Sequence, residues 1–279
     1  MSRPEHTHPT DPDAVGAAYD LFADAGATTV LGGNIHVGWW DPEHPEVPLP
    51  EATDRLTDLV ADRLHTHPGR TLLDVGCGNG LPAVRIAETR GAHVTGITVG
   101  HDQLERAGHE AAGSPARDRL EFRHADAMRL PFADASFDDA LAIESLLHMP
   151  DQRLALTELA RVVRPAGRLV IADLCLLRPF RGPDEALLDG LLEVYEIARV
   201  NTLAEHRRHL TETGWEIEEL SEVGDRIRPS FGHAAEAFRG LAGALPAPAA
   251  ARITAAADLM ARFGRHPDAG YVLVTARRP

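Results

Sequence analysis

Between residues 70 and 174 short apolar runs alternate with segments whose apolar positions recur every three or four residues. The runs predict strands over 70–75, 92–98, 120–124, 137–143 and 168–174, and the periodic segments predict helices over 81–90, 101–112 and 152–164. Alternation at this spacing is the signature of an α/β fold built on a largely parallel, doubly wound sheet. Pro165-Ala166-Gly167 is a helix stop leading into the last of these strands. Upstream, Leu49, Ala52, Leu56, Leu59, Val60 and Leu64 keep helical spacing up to Pro68-Gly69, and Asp13 to Ala25 can form a helix with Val15, Ala18 and Phe22 near one face and Tyr19 beside them. Residues 1 to about 10 read as disordered. Past Pro183 the rhythm changes. Helices are expected over 184–200, 203–213, near 232–243 and over 247–263, with strands at 215–223 and 271–275. The 184–200 helix is apolar around much of its circumference, which suits either plain core packing or a place between core and pocket.

At 279 residues the chain fits one α/β domain with a cap, and no linker separates two units. The formal charge of −14 argues against a nucleic-acid partner, which needs a basic face. No lysine occurs, so every basic residue is arginine. Cys77 and Cys175 make no disulfide framework. The first residues are polar and rich in Pro and His, unlike a signal peptide, and no apolar run is long enough to span a bilayer. A cytoplasmic protein without a membrane partner is the expectation. The pairs His6/His8 and His65/His67 complete no zinc spacing, so no metal is expected.

The candidate chemistry starts at Leu72-Leu73-Asp74-Val75-Gly76-Cys77-Gly78-Asn79-Gly80. An apolar strand ends in a carboxylate and then in alternate glycines, which lets backbone amides approach a ligand at the strand's carboxyl end. No Lys-Ser/Thr follows, position 81 is Leu81 rather than a third dinucleotide-type glycine, and the second strand ends in Thr98 rather than an acid. The turn therefore suits a ligand with a cationic amino-acid end and no phosphate.

This pattern resembles motif I of the class I S-adenosylmethionine-dependent methyltransferases, and later segments match in order. The likeness is to the small-molecule enzymes of actinomycete natural-product pathways, such as the rebeccamycin sugar, rifamycin and mitomycin O-methyltransferases. It implies a Rossmann-like seven-stranded sheet, a tail and lid over residues 1–48, a methyltransferase domain over 49–279, and a helical substrate cap at about 180–213 and 231–265. It also implies S-adenosyl-L-methionine as cofactor, with Asp74 on the methionyl ammonium and Gly76 and Gly78 beside its homocysteine part. Gly96-Ile97-Thr98-Val99-Gly100-His101-Asp102-Gln103 resembles a segment in which Thr98 and Val99 line ribose and adenine and Gln103 bonds the ribose, although Gly100 replaces the usual Ser. Ala125-Asp126-Ala127-Met128 matches the adenine-reading pair Asp126 and Ala127, though an Asp just past a strand is also a common turn-former. Asn34-Ile35-His36-Val37-Gly38-Trp39-Trp40 looks like the family's segment that folds His36, with Tyr19, over the sulfonium end.

Methyl transfer is an in-line displacement, so holding nucleophile and methyl in line is the main task, and a hydroxyl nucleophile needs a base. Glu144-Ser145-Leu146-Leu147-His148-Met149-Pro150-Asp151 resembles the family motif beside the methyl position, which places Glu144 at the cofactor and makes His148 the leading base. Asp173 is the adjacent acid that could orient an imidazole or bind a hydroxyl. Some relatives carry two adjacent histidines here; Leu147 takes the first place, so His36 or Asp173 would serve if that first histidine were the base. A structural histidine bonding a loop carbonyl is the other reading of His148. The resemblance implies transfer to a hydroxyl of a polyketide- or glycoside-type secondary metabolite. C- or N-methylation, and a cyclase that uses the cofactor structurally, stay open, as does a homodimer.

Overall fold

A computed structural model describes His8, Thr10, Val15, Gly26, Thr28 and residues 31–279. Tyr19 and, apart from Val15, the helix expected over 13–25 lie outside the described residues. Helix α1 (Leu49–Arg63) leads into β1 (Thr71–Val75), α2 (Leu81–Arg90), β2 (His93–Thr98), α3 (His101–Gly113), β3 (Leu120–His124) and β4 (Asp139–Ile143). Then come α4 (Gln152–Val162), β5 (Arg168–Leu176), α5 (Glu185–Val194), α6 (Leu203–Glu212), β6 (Glu216–Glu222), α7 (Gly224–Ala242), α8 (Ala247–Arg265) and β7 (Ala269–Arg277).

The strands form one seven-stranded sheet in the order β3-β2-β1-β4-β5-β7-β6. Strands β1 to β5 run parallel, and β7 is antiparallel to both β5 and β6. Central strands that are covered on both faces read as continuous apolar runs. All five residues of β4 are buried, as are eight of the nine in β5, which is why their sequences do not alternate. One face packs Leu72, Leu141 and Val170 under Leu56, Val60 and Ile86 of α1 and α2. The other packs Leu73, Ala140 and Ile171 under Leu156, Leu159 and Leu210 of α4 and α6, with Trp215 Nε1 donating to Leu156 O at 3.1 Å. The order reverses between β1 and β4, so a crevice opens at their carboxyl ends, where open α/β sheets take their ligands.

Local signals fix several boundaries. The Asp151 side chain accepts from Leu154 N to start α4, and Thr202 and Glu205 form a reciprocal capping box at α6. Two expected boundaries are corrected. The helix expected over 184–200 ends at Val194, and Glu196 turns the chain with φ of 48°. Ile197 and Ala198 stay buried, so the apolar pattern outlasts the helix. The helix expected near 232 begins at Gly224 and runs through Pro229. Only that proline's own amide bond is lost, while Ile227, Phe231, Ala234 and Phe238 keep one buried stripe through it. Helices α7 and α8 pack small faces together, Ala235 against Ala256 and Ala257. Among the described residues no helix is long and apolar enough to cross a membrane.

Gly167 shows how tightly the helix stop feeds β5. A Cβ there would lie 2.1 Å from Asp138 O and 2.9 Å from Arg164 O, both backbone atoms with little room to yield. Gly167→Ala is predicted to remove about 1–3 kcal/mol of stability, measured as a lowered chemical-denaturation midpoint; an unchanged midpoint refutes the contact.

Candidate active site

The turn after β1 is built on positive φ at Gly76 (71°), Gly78 (53°) and Gly80 (83°). Sterics add a second reason for glycine at the first two. A Cβ at Gly76 would fall 2.4 Å from Ser145 Cβ, and one at Gly78 would fall 2.6 Å from Ile35 Cδ1. The turn is thus held between the exit of β4 and the 34–40 strap. Cys77 N donates to Ile97 O at 2.9 Å and Asn79 Nδ2 to Gly33 O at 2.7 Å, which pins it on both sides. Asp74, on β1 just before it, is 2% exposed, and its Oδ2 is buried without a hydrogen-bond partner. Burial pushes its carboxyl up to about 7. A buried acceptor left unsatisfied inside a cleft is suited to a cationic donor.

A cavity of about 960 Å³ lies over this turn. His36, Asp74, Gly76, Gly78, Thr98, Val99, Gln103, Asp126, Ala127 and Glu144 all line it, so every expected cofactor residue except Tyr19 is brought together. Thr98 Oγ1 donates to Gln103 Oε1 at 2.7 Å and accepts from Gly100 N at 3.1 Å, which fixes the Gln103 amide beside Gly78. The Val99 carbonyl accepts from His124 Nε2 at 2.9 Å. Asp126 Oδ1 accepts from Met128 N at 2.8 Å, so this carboxylate shapes its own turn and also faces the cavity.

A second cavity, of about 970 Å³, is walled by Leu147, Leu174, Leu191, Tyr195, Phe231, Phe238, Met260 and Phe263. Four residues line both cavities: Ile35, His36, Glu144 and His148. His148 Nδ1 lies 2.8 Å from Glu196 O. A carbonyl only accepts, so Nδ1 carries the hydrogen and Nε2 is the basic nitrogen. Burial lowers the imidazole to about 4, leaving it neutral at neutral pH. The loop-carbonyl bond expected of a structural histidine is therefore present, and it coexists with a place on the partition. His36 is different: Nδ1 donates to Val37 O at 2.8 Å, and Nε2 accepts from Thr57 Oγ1 at 3.2 Å. Its basic nitrogen is already engaged, and burial holds it near 4 as well.

Asp173, expected either to orient an imidazole or to bind a sugar or hydroxyl, lines neither cavity. Its Oδ2 accepts from Leu147 N at 3.2 Å and its Oδ1 from Leu174 N at 2.9 Å. Desolvation first, and then the nearby Glu144, keep this carboxyl well above its ordinary range. It supports the turn that carries His148. The same turn puts the Leu147 side chain on the second cavity's wall.

Two contributors escape sequence reasoning. Ser145 faces Gly76 with a buried Oγ that has no partner, and only its small size opposite a glycine hinted at this. Tyr271 OH donates to Glu144 Oε1 at 3.0 Å, and nothing in the apolar run around it signalled that. The same oxygen accepts from Val37 N at 2.8 Å, and burial raises Glu144 to about 7.

Residues 73–171 match the family model of a methyltransferase domain. Over 275 residues the chain is 44% identical to a 27-O-demethylrifamycin SV methyltransferase of Amycolatopsis mediterranei, spanning 98% of this chain and 99% of that protein. An O-methyltransferase, resE, of Aspergillus sclerotiorum is 43% identical over 221 residues, 79% of this chain and 82% of that protein. Among solved structures, the (4+2)-cyclase SpnF superposes with a TM-score of 0.83 at 32% identity, over 99% of both chains.

The Asp74 environment yields a stability prediction. A carboxyl raised in the fold contributes stability that is present at low pH and lost as pH rises through the folded value, here about 7. The ligand-free Asp74→Asn variant should melt several degrees above the unsubstituted protein at pH 8, with the gap narrowing steadily below pH 7 and closing near pH 4. Parallel melting curves across that range would refute the buried carboxylate.

Proposed function

The chain belongs to the class I S-adenosylmethionine-dependent methyltransferases of the natural-product type, and from that membership we propose transfer of a methyl group to a hydroxyl of a small secondary metabolite. One observation carries the reading: His148, with its basic nitrogen unprotonated, stands on the partition between the cavity over the glycine turn, which holds the Asp74 and Asp126 carboxylates, and the cavity walled by leucine and aromatic side chains.

The residues fit S-adenosylmethionine. The unpartnered Oδ2 of Asp74 would hold the methionyl ammonium, and Gly76 and Gly78 leave the room that a Cβ would fill. Thr98, Val99 and Gln103 hold the ribose side, and Asp126 and Ala127 hold the adenine. The bound cofactor supplies a methyl group already activated on sulfonium. His36 and Ile35, on the 34–40 strap, close the sulfonium end and exclude water from it. His148 Nε2 would take the acceptor's hydroxyl proton, with the cofactor giving up its methyl from sulfur to that oxygen and leaving as S-adenosylhomocysteine. Asp173, through Leu147 N, and Glu196 O, through Nδ1, hold the base in place. Helices α5, α7 and α8 serve as the cap, and their Leu191, Phe231, Phe238, Met260 and Phe263 select an apolar polyketide-like body. Leu147 adds to that wall where some relatives offer a histidine. We place the reaction in the cytoplasm, a reading supported by two buried free thiols, Cys77 and Cys175.

The likeness to a cyclase over the whole chain favours one second reading, in which the cofactor is held and the acceptor cavity performs a ring closure. Incubation of the protein with S-adenosylmethionine and hydroxylated polyketides separates the two. Methyl transfer yields one S-adenosylhomocysteine per methyl ether formed, whereas ring closure consumes the acceptor and leaves the cofactor intact. His148→Ala should lower kcat by about 10²–10⁴-fold while S-adenosylhomocysteine still binds in calorimetry. A His148→Ala enzyme with undiminished turnover removes His148 as the base.

A further inference from the structure

We propose that Tyr271 is a positioning residue for the reaction: through Glu144 it fixes the Val37 amide, and with it the Ile35–His36 wall shared by the two cavities. This rests on the methyltransferase reading above. Tyr271 is fully buried and lines neither cavity, so it acts on a ligand only through another residue.

The geometry gives it a route. Tyr271 sits on β7 opposite Leu174 of β5, and Glu144 directly follows β4 on the far side of β5. The phenol and carboxylate together bridge two strand spacings, about 10 Å. On that face β5 offers Ala172, whose small side chain leaves space for the ring to pass. The bridge ends on a single oxygen: Glu144 Oε1 accepts from Tyr271 OH at 3.0 Å and from Val37 N at 2.8 Å.

Glu144 is itself held in an unusual backbone state. Its φ is 46°, a left-handed conformation that is strained for a non-glycine residue. Its own N–H is retained by Ala172 O at 2.8 Å. This conformation re-aims the side chain from the end of β4 into the partition, where both cavities touch it. On the other side of the bond the strap is stitched outward: Gly38 N donates to Ser230 Oγ, Trp39 N to Ala52 O and Trp40 N to Arg226 O. The Val37 bond is what ties the middle of that strap to β4. Ile35 and His36 immediately precede it and face both ligands' cavities. Without the phenol, the acceptor oxygen and the strap amide keep each other, but the carboxylate loses the contact that sets where they meet.

The test combines Tyr271→Phe, Glu144→Ala and the double variant. Tyr271→Phe keeps the ring and removes only the hydroxyl. Calorimetry with S-adenosylhomocysteine should show affinity about tenfold weaker for Tyr271→Phe, and steady-state kinetics should show KM raised for both cofactor and acceptor. A purely structural loss would reduce the active fraction, lowering kcat with both KM values unchanged, and that result overturns the proposal. In the Glu144→Ala background, adding Tyr271→Phe should change neither affinity nor KM further, because the phenol acts through that carboxylate; additive losses also overturn it. If Tyr271→Phe does not fold, Glu144→Gln, which keeps an acceptor oxygen, must bind S-adenosylhomocysteine more tightly than Glu144→Ala, and equal affinities overturn the proposal. Failure of the unsubstituted protein to bind S-adenosylhomocysteine is a different outcome, since it removes the methyltransferase reading itself.

Discussion

Burying the Asp74 carboxylate at the tip of β1 sets the conditions that the surrounding crevice meets. Desolvation favours its neutral form, and no protein donor reaches Oδ2. The charged form therefore carries a cost that a cationic ligand would relieve. Everything nearby limits access to that oxygen. The glycine turn needs three left-handed residues to bend over it, and the turn in turn sits within van der Waals limits of Ser145 and Ile35. The β4 exit and the 34–40 strap are thereby packed against the glycine turn that follows this carboxylate. The reversal of strand order between β1 and β4 makes this possible, because it brings the two carboxyl ends side by side without a chain crossing between them.

Charge in the crevice follows from burial. His36 and His148 are both held neutral, and burial raises both Asp74 and Glu144 well above the ordinary carboxylate range. The site can hold a cation against a carboxylate without a fixed positive group competing for it. The His148 imidazole on the partition is neutral and so can receive a proton. The second cavity, walled largely by leucine and aromatic side chains, takes an uncharged body with a polar group at one end.

Much of this was legible before the fold was known, for identifiable reasons. Central strands buried on both faces announce themselves as apolar runs, and the carboxylate-glycine turn is written contiguously, so Asp74, Gly76 and Gly78 could be read directly. Thr98, Gln103 and Asp126 came from the resemblance of their segments to those of the family, and the fold brings all three to one cavity. The signal failed where three-dimensional closure supplies it. Asp173 was read as closing its strand, but β5 runs on to Leu176, and the carboxyl accepts from the backbone of Leu147 and Leu174. Tyr271 lies in an apolar strand 127 residues from its partner Glu144, with no local mark of that bond. The end of α5 was hidden because Ile197 and Ala198 remain buried in a turn. The start of α7 was hidden because Pro229 reads as a break, although its helix needs to forgo only one bond there.

The partition made of Ile35, His36, Glu144 and His148 has an energetic corollary. Whatever ordering of those four side chains one ligand brings about is no longer required of the other, so occupancy on either side strengthens occupancy on the opposite side. Linkage makes that help reciprocal and equal in free energy. A catalyst with such a common wall retains both reactants most firmly when they are together, and loosens its grip on the survivor once either one departs.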